Sequence, residues 1–160
     1  QTLLPQGHAP DGPIYSLKKH GNTLYVGGFF NGVGYQSGSA ALLPNGGIKP
    51  DFDFPHCEGD ILVTLPDGNG GWFLGGEIDK VEETDVFGLV HILPNKKLDT
   101  TFLPDINNDV FALALVNDTL FVGGWFTQID GQPQNYLAAF GLNTKTKLPW
   151  SLEQEGQVTE

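Results

Sequence analysis

Four aromatic and amide residues form the first pattern in this sequence that could recognise a ligand. Aromatic rings stack on sugars and anchor protein interfaces, while side-chain amides both donate and accept hydrogen bonds. The sequence predicts these ligand-binding residues: Tyr35, Trp125, Asn135 and Tyr136. Trp72 and Gln134 are further candidates, with Trp72 expected to be exposed. The alternative role for each aromatic ring is core packing.

A cluster of acidic residues is the second pattern. Asp79, Glu82, Glu83 and Asp85 follow one another closely in the chain. Because Ca²⁺ binds several carboxylate oxygens at once, these four residues are a candidate metal site, and Ca²⁺ is the one candidate cofactor. The spacing differs from that of an EF-hand loop, and the alternative is a solvated acidic loop.

Cys57 is the one cysteine, and it stands between His56 and Glu58. A nucleophilic cysteine needs a base and an oxyanion partner, which neighbours within one connection do not provide. Nucleophile-elbow, phosphate-loop, zinc-protease and dinucleotide motifs are absent from the sequence. We therefore expect no catalytic residues, and no disulfide or zinc site at this lone cysteine.

The charge balance argues against two classes of partner. The chain of 160 residues carries 8 lysines, no arginine and 19 acidic residues, for a net charge of −11. Nucleic-acid backbones require clustered cations, so nucleic acid is not an expected partner. No apolar stretch approaches the ~18 residues of a membrane span. Because the sequence lacks methionine, we expect it to be a processed product or a piece of a longer chain.

An internal repeat underlies these patterns. Three Gly-Gly pairs follow apolar triplets, and their first glycines, Gly27, Gly75 and Gly123, are 48 residues apart. The same offset of 48 residues relates further sets of apolar positions. These sets are Ile14, Leu62 and Val110; Leu17, Leu65 and Leu113; Phe30, Ile78 and Phe126; and Phe54, Phe102 and Trp150. Such a period is typical of propeller blades.

Each unit is expected to contain four short strands, with a turn after the first and a loop after the second. The predicted fold is all-β, with propeller-type four-stranded antiparallel blades that form part of a larger ring. Complete blades are predicted at 12–59, 60–107 and 108–155, with the tail of a preceding blade at 1–11 and the start of a following one at 156–160. The Gly-Gly pairs would let neighbouring blades approach closely. Loops 31–38, 79–86 and 127–135 would share one face.

The unit reads L-[YF]-V-G-G-x-F, then a loop, an apolar strand, and an Asp-x-x-Phe ending, best seen at 24–30, 98–102 and 120–131. It resembles the delta-60 type repeat of extracellular and surface β-propellers, and a similar pattern occurs in the fungal cortical polarity-marker family. The resemblance implies a secreted or cell-surface recognition or scaffold module without catalytic residues. Its partner would be a protein or the rest of its own longer chain. The alternative is a lectin-like propeller that binds glycans, and a hydrolase or lyase is more distant.

Overall fold

The computed structural model describes residues 12–20, 22–30, 39–42 and 55–149. Every regular element in these ranges is a β-strand, which confirms the predicted all-β class. Within the same ranges there is no helix long and apolar enough to cross a membrane. The predicted partial blades at both ends, the predicted fourth strand of the first unit and the predicted loop at 31–38 lie outside the described residues.

The first sheet contains three antiparallel strands in the order β1-β2-β3. They are β1 (Ile14–His20), β2 (Thr23–Gly28) and β3 (Ser39–Leu42). His20 pairs with Thr23, so β1 continues further toward β2 than the sequence predicts.

The second sheet is built around one long strand. β4 (Cys57–Pro66) pairs with one edge of β5 (Trp72–Val81). β6 (Thr84–Asp85) and β7 (Leu89–Ile92) pair with the other edge of β5, one after the other. The fourth strand predicted for this unit is reduced to a single bridge between Ile92 and Leu98.

The third sheet has the complete predicted plan, with four strands in the order β13-β12-β9-β8. Its members are β8 (Val110–Val116), β9 (Thr119–Gly124), β12 (Leu137–Gly141) and β13 (Thr146–Lys147). Between β9 and β12, a separate hairpin contains β10 (Gln128–Ile129) and β11 (Gln132–Pro133). The segments predicted as loops at 79–86 and 127–135 are therefore short hairpins.

The first strand of the second unit departs from the uniform 48-residue offset. Ile14 pairs with Gly28, Ile61 with Gly76 and Val110 with Gly124, so Ile61 is the equivalent residue. The predicted equivalence of Leu62, and with it that of Leu65, is wrong by one position. The turn at 67–71 causes the shift, since it is longer than the two-residue turn at 117–118.

The two positions of each Gly-Gly pair require glycine for different reasons. A Cβ on Gly76 would lie 1.9 Å from the carbonyl oxygen of Asp60, because β4 bulges there. Gly28 and Gly124 meet the equivalent carbonyls of Pro13 and Asp109 at 2.3 and 2.1 Å. The second glycine is therefore required by a bulge within its own sheet.

The first glycine of the pair leaves room for side chains of the following sheet. A Cβ on Gly75 would lie 2.5 Å from Cγ1 of Val110 in β8. A Cβ on Gly27 would lie 3.2 Å from Cγ2 of Ile61 in β4. The predicted close approach of neighbouring units is therefore confirmed for this glycine, and only for this one.

Two apolar cores join the three sheets. One core packs the second sheet against the third around Phe73, Leu89, Leu120 and Phe126. The other core lies on the opposite face of the second sheet, and Tyr25 of the first sheet packs against it. Phe30, Phe102 and Phe126 are buried as predicted, whereas Phe54 and Trp150 lie outside the described residues. The sheets pack in sequence, and the described part of the chain does not close into a ring.

Candidate functional site

Trp125 follows β9 at a position that stays exposed in all three sheets. Phe29 is 53 % exposed, Glu77 is exposed and Trp125 is 66 % exposed. The first two have a following sheet packed beside them and are nevertheless open to solvent. This position is therefore exposed in every unit, and Trp125 is not exposed merely because it lies in the last described sheet.

Phe111 contacts Trp125 from the neighbouring strand. The two rings form an edge-to-face pair, with centroids 5.0 Å apart and an interplanar angle of 76°. Phe111 is the extra residue of the bulge between Val110 and Ala112, and bulges redirect side chains in this way. The backbone N–H of Trp125 donates to the carbonyl of Asp109 at 2.9 Å, which fixes the ring on the sheet.

Tyr136 precedes β12 and is 61 % exposed. Its φ of 62° lies in the left-handed region, which costs a bulky residue about 1–2 kcal/mol. The backbone holds this conformation from both sides, because the N–H of Tyr136 donates to Phe126 and its carbonyl accepts from Gly124. Asn135 beside it is also exposed. We refer to Phe111, Trp125, Asn135 and Tyr136 as the aromatic surface.

The other predicted ligand-binding residues have different outcomes. Tyr35 lies outside the described residues. Trp72 is buried rather than exposed, since its ring packs against Tyr25 with centroids 4.3 Å apart. The prediction was wrong because Trp72 begins β5 and faces the first sheet. The amide of Gln134 donates to the carbonyl of Leu137 and accepts from Lys147, so its hydrogen bonds lie within its own sheet.

The four predicted metal ligands lie on the β5–β6 hairpin. Glu82 has a φ of 51° at its tip, and its carboxylate accepts the backbone N–H of His56 at 2.7 Å. Across the ranges that the structure covers, no three His, Cys, Asp or Glu side chains are grouped to hold a metal ion. Ca²⁺ binding by Asp79, Glu82, Glu83 and Asp85 stays a prediction, and no grouping of ligands among the described residues supports it.

Cys57 begins β4 and is buried. Burial, together with the nearby charge of Glu82, raises the pKa of its thiol to about 12. Its Sγ–H points to the carbonyl of Pro55 at 3.5 Å. The thiol therefore remains protonated at neutral pH, which is consistent with the expectation that Cys57 is not a nucleophile.

A buried polar network was not anticipated from the sequence. His91 on β7 lies between two carboxylates, with Nδ1 3.0 Å from Asp99 and Nε2 3.1 Å from Asp67. Both nitrogens of the imidazole therefore face carboxylate oxygens, and the ring joins the two acids. Its face stacks on Phe73 with centroids 4.4 Å apart. The three side chains are brought together by β7, by the turn between β4 and β5 that contains Asp67, and by the turn after β7 that precedes Asp99.

Asp99 extends this network to the third sheet. Its Oδ2 accepts from Nζ of Lys145 at 2.7 Å, and its Oδ1 accepts from the Thr101 hydroxyl at 2.5 Å. Burial acts to raise the pKa of Asp99, but the hydrogen bonds from Lys145, Thr101 and His91 outweigh it and hold this pKa well below its usual range. The Lys145–Asp99 pair thus links the second and third sheets.

The network forms one wall of a cleft of about 270 Å³ between these sheets. Phe73 and Phe102 line it on the apolar side, while Asn117 and Asn143 line it with amides. Among the described residues, no buried side-chain nitrogen or oxygen lacks a hydrogen-bond partner. Because its acids, imidazole and ammonium already bind one another, we interpret the network as a structural link that fixes the third sheet.

Sequence reasoning did not connect His91, Asp67 and Asp99, because they lie in separate segments of the chain. Only the Asp-x-x-Phe ending marked Asp99, and it was interpreted as a repeat signature. The Asp67-x-Asn69-x-Gly71 turn offers a second signal, since Oδ1 of Asp67 accepts the N–H groups of both later residues. Comparison with known proteins adds no functional assignment: no family model, no curated protein and no solved structure matches this chain.

Proposed function

We propose that this chain is a non-catalytic recognition module that binds a protein partner through the aromatic surface. The observation that carries the proposal is the 66 % exposure of Trp125 at a position that neighbouring sheets leave open. Tryptophan and tyrosine are enriched among the residues that dominate binding energy at protein interfaces. An exposed pair of aromatic rings on a rigid sheet therefore provides a preformed anchor.

The strained tyrosine supports the same proposal. Exposed bulky residues rarely occupy the left-handed region, and strained backbone positions cluster at functional sites. Tyr136 occupies such a position with 61 % of its surface open to solvent, so internal packing does not account for it. The expected placement in a secreted or cell-surface protein belongs to this proposal. Asn117, in the sequon at 117–119, is exposed on the β8–β9 turn, where a glycan would be accommodated.

A specific repetition favours glycan binding as the second candidate. Tyr15 and Phe29 of the first sheet occupy the same positions as Phe111 and Trp125, and they are 52 % and 53 % exposed. In the second sheet, Leu62 and Glu77 take these places, so the aromatic pairs alternate. Equivalent aromatic positions two sheets apart suit a repeating polysaccharide that engages both at once.

Site-directed photo-crosslinking distinguishes these candidates. We would replace Trp125 with a benzophenone amino acid, expose the folded chain to solubilised cell-surface proteins, and identify adducts by mass spectrometry. Placing the same probe at Leu103, which is 39 % exposed outside the aromatic surface, provides the matched control. In parallel, a glycan array would be probed with the wild-type chain and with Trp125→Ala. Adducts specific to position 125 support the protein-binding proposal, whereas glycan binding lost in Trp125→Ala supports the second candidate. If neither occurs, the proposed function is wrong.

A further inference from the structure

Within the described part of the chain, the space beside Gly123 of the third sheet is open. Gly27 and Gly75, the equivalents of Gly123, face Ile61 and Val110 of the sheet that follows each of them. A Cβ on Gly123 would meet only its own sheet, at 3.4 Å from Cβ of Ala112 and 3.8 Å from the carbonyl oxygen of Tyr136. Among the described residues, nothing occupies the place that Ile61 and Val110 take in the other two interfaces.

The surface around Gly123 is apolar. Cross-strand pairing places Ala112 and Leu137 on either side of Gly123, and Ala114 beside Phe121. The equivalent face of the second sheet includes Phe73 and Leu89, which are buried against the third sheet. We define the tail face as Ala112, Ala114, Phe121, Gly123 and Leu137, each of which retains solvent exposure.

The first sheet presents the opposite half of the same interface. Ile14, Leu17 and Leu24 are 39 %, 60 % and 37 % exposed, and we define them as the head face. Ile14 is the structural equivalent of Ile61 and Val110, which are fully buried against the preceding sheet. Leu24 corresponds to Trp72 and Leu120, which are also buried. One chain therefore carries both surfaces of an interface that it already forms twice internally.

We propose that the tail face binds the head face of a second copy of this chain, with Ile14 of one copy packed on Gly123 of the other. The partner is argued from continuity, because the new contact repeats the Gly27–Ile61 and Gly75–Val110 contacts. Propeller rings contain ~4–8 blades. Two copies of the three described sheets give six, so the head-to-tail contact made twice closes a dimer.

The dimer leaves Trp125 of the aromatic surface available. Phe29 and Glu77 remain exposed although a following sheet occupies the space beside the first glycine of the preceding Gly-Gly pair. Docking of a second copy at Gly123 would leave Trp125 exposed in the same way. Tyr136 differs, because its equivalent Gly88 is buried beside Ile106 and Asn108, which precede the third sheet. Binding through Trp125 and dimerisation are therefore tested separately.

Sedimentation equilibrium of the 160-residue chain tests the proposal. We expect a species of twice the 17.3 kDa chain mass at micromolar concentration. Gly123→Val fills this space with a side chain whose Cβ lies 3.4 Å from the nearest atom of its own sheet, and Leu17→Glu places a charge on the head face. Each variant should weaken dimerisation at least 100-fold, while Leu103→Glu, outside both faces, should leave it unchanged.

Complementation provides the decisive arm. Gly123→Val retains an intact head face and Leu17→Glu retains an intact tail face, so a mixture of the two should form a heterodimer through one native contact. Ala114→Glu is a second tail-face variant, and circular dichroism would establish that each variant is folded. A monomeric wild-type chain, or a folded variant pair that does not associate on mixing, overturns the proposal.

Discussion

Tyr136 and Gly88 occupy the same left-handed backbone position in consecutive sheets, with φ values of 62° and 70°. The hydrogen bonds around them correspond as well, since the carbonyl of each accepts from the second glycine of its Gly-Gly pair at 3.0 Å. Glycine adopts this conformation without steric cost, whereas tyrosine does not. The fold thus requires the left-handed conformation at this position. In the third sheet a tyrosine adopts it, with the backbone strain that this conformation causes in a bulky residue.

Substitution of Tyr136 separates strain from recognition. In Tyr136→Gly, relief of the left-handed strain offsets the added entropy of the unfolded chain, so we expect the free energy of unfolding to change by less than about 1 kcal/mol. Binding to the partner identified at position 125 should nevertheless fall at least tenfold, because an exposed anchor ring is lost. Urea unfolding and titration calorimetry measure the two effects. A tyrosine that served only the fold would give the reverse pattern.

Alanine substitution at the first glycine of a Gly-Gly pair should change the free energy of unfolding by different amounts in different sheets. Gly75→Ala places a Cβ 2.5 Å from Val110 and 2.9 Å from Val63, so we expect a loss of about 1–3 kcal/mol from overpacking. In Gly123→Ala the nearest atom lies at 3.4 Å, and the free energy of unfolding should not decrease. Thermal unfolding at a concentration where the chain is monomeric makes the comparison. Equal losses at both positions would contradict the assignment of Gly75 to the interface between sheets.

The sequence was informative wherever the repeat itself was the signal. The strand class, the Gly-Gly pairs and the burial of Phe30, Phe102 and Phe126 all follow from local patterns that recur. The register of β4 was missed because the longer turn at 67–71 shifts one strand without disturbing the next. His91 was missed because its two carboxylate partners come from separate turns, and only the folded sheet brings them together. The larger ring and the delta-60 resemblance stay predictions.

Cys57 should resist alkylation in the folded chain. Because burial, with Glu82, raises the pKa of its thiol to about 12, the thiolate fraction at pH 8 is about a thousandfold lower than in an unfolded chain. We therefore expect iodoacetamide to label the thiol slowly in buffer and rapidly in 8 M urea, which mass spectrometry would follow. Rapid labelling under native conditions would mean that β4 opens at Cys57 or that the thiol is activated.

The hydrogen bonds to Asp99 should make the free energy of unfolding fall as the pH is lowered. The pKa of Asp99 is lower in the folded chain than the ~3.9 of an unfolded aspartate, so the folded state binds fewer protons at this group. The stability it contributes is complete above about pH 4 and is lost as the pH falls below that value. Asp99→Asn should lower the free energy of unfolding at pH 7 by about 2 kcal/mol, since a buried charged hydrogen-bond acceptor for Lys145 is removed. This variant should also show a flatter decline below pH 4.

Asp60 provides the matched control for Asp99. Burial, together with the charge of Asp109, raises the pKa of Asp60, so its ionised form opposes folding above its unfolded pKa. Asp60→Asn should therefore leave stability at pH 7 unchanged or increase it, although the two substitutions remove the same charge. Urea unfolding of the three chains between pH 2.5 and 7 compares them. If Asp99→Asn and Asp60→Asn were destabilised equally at pH 7, the loss of negative charge itself, and not the link from Asp99 to Lys145, would explain the effect.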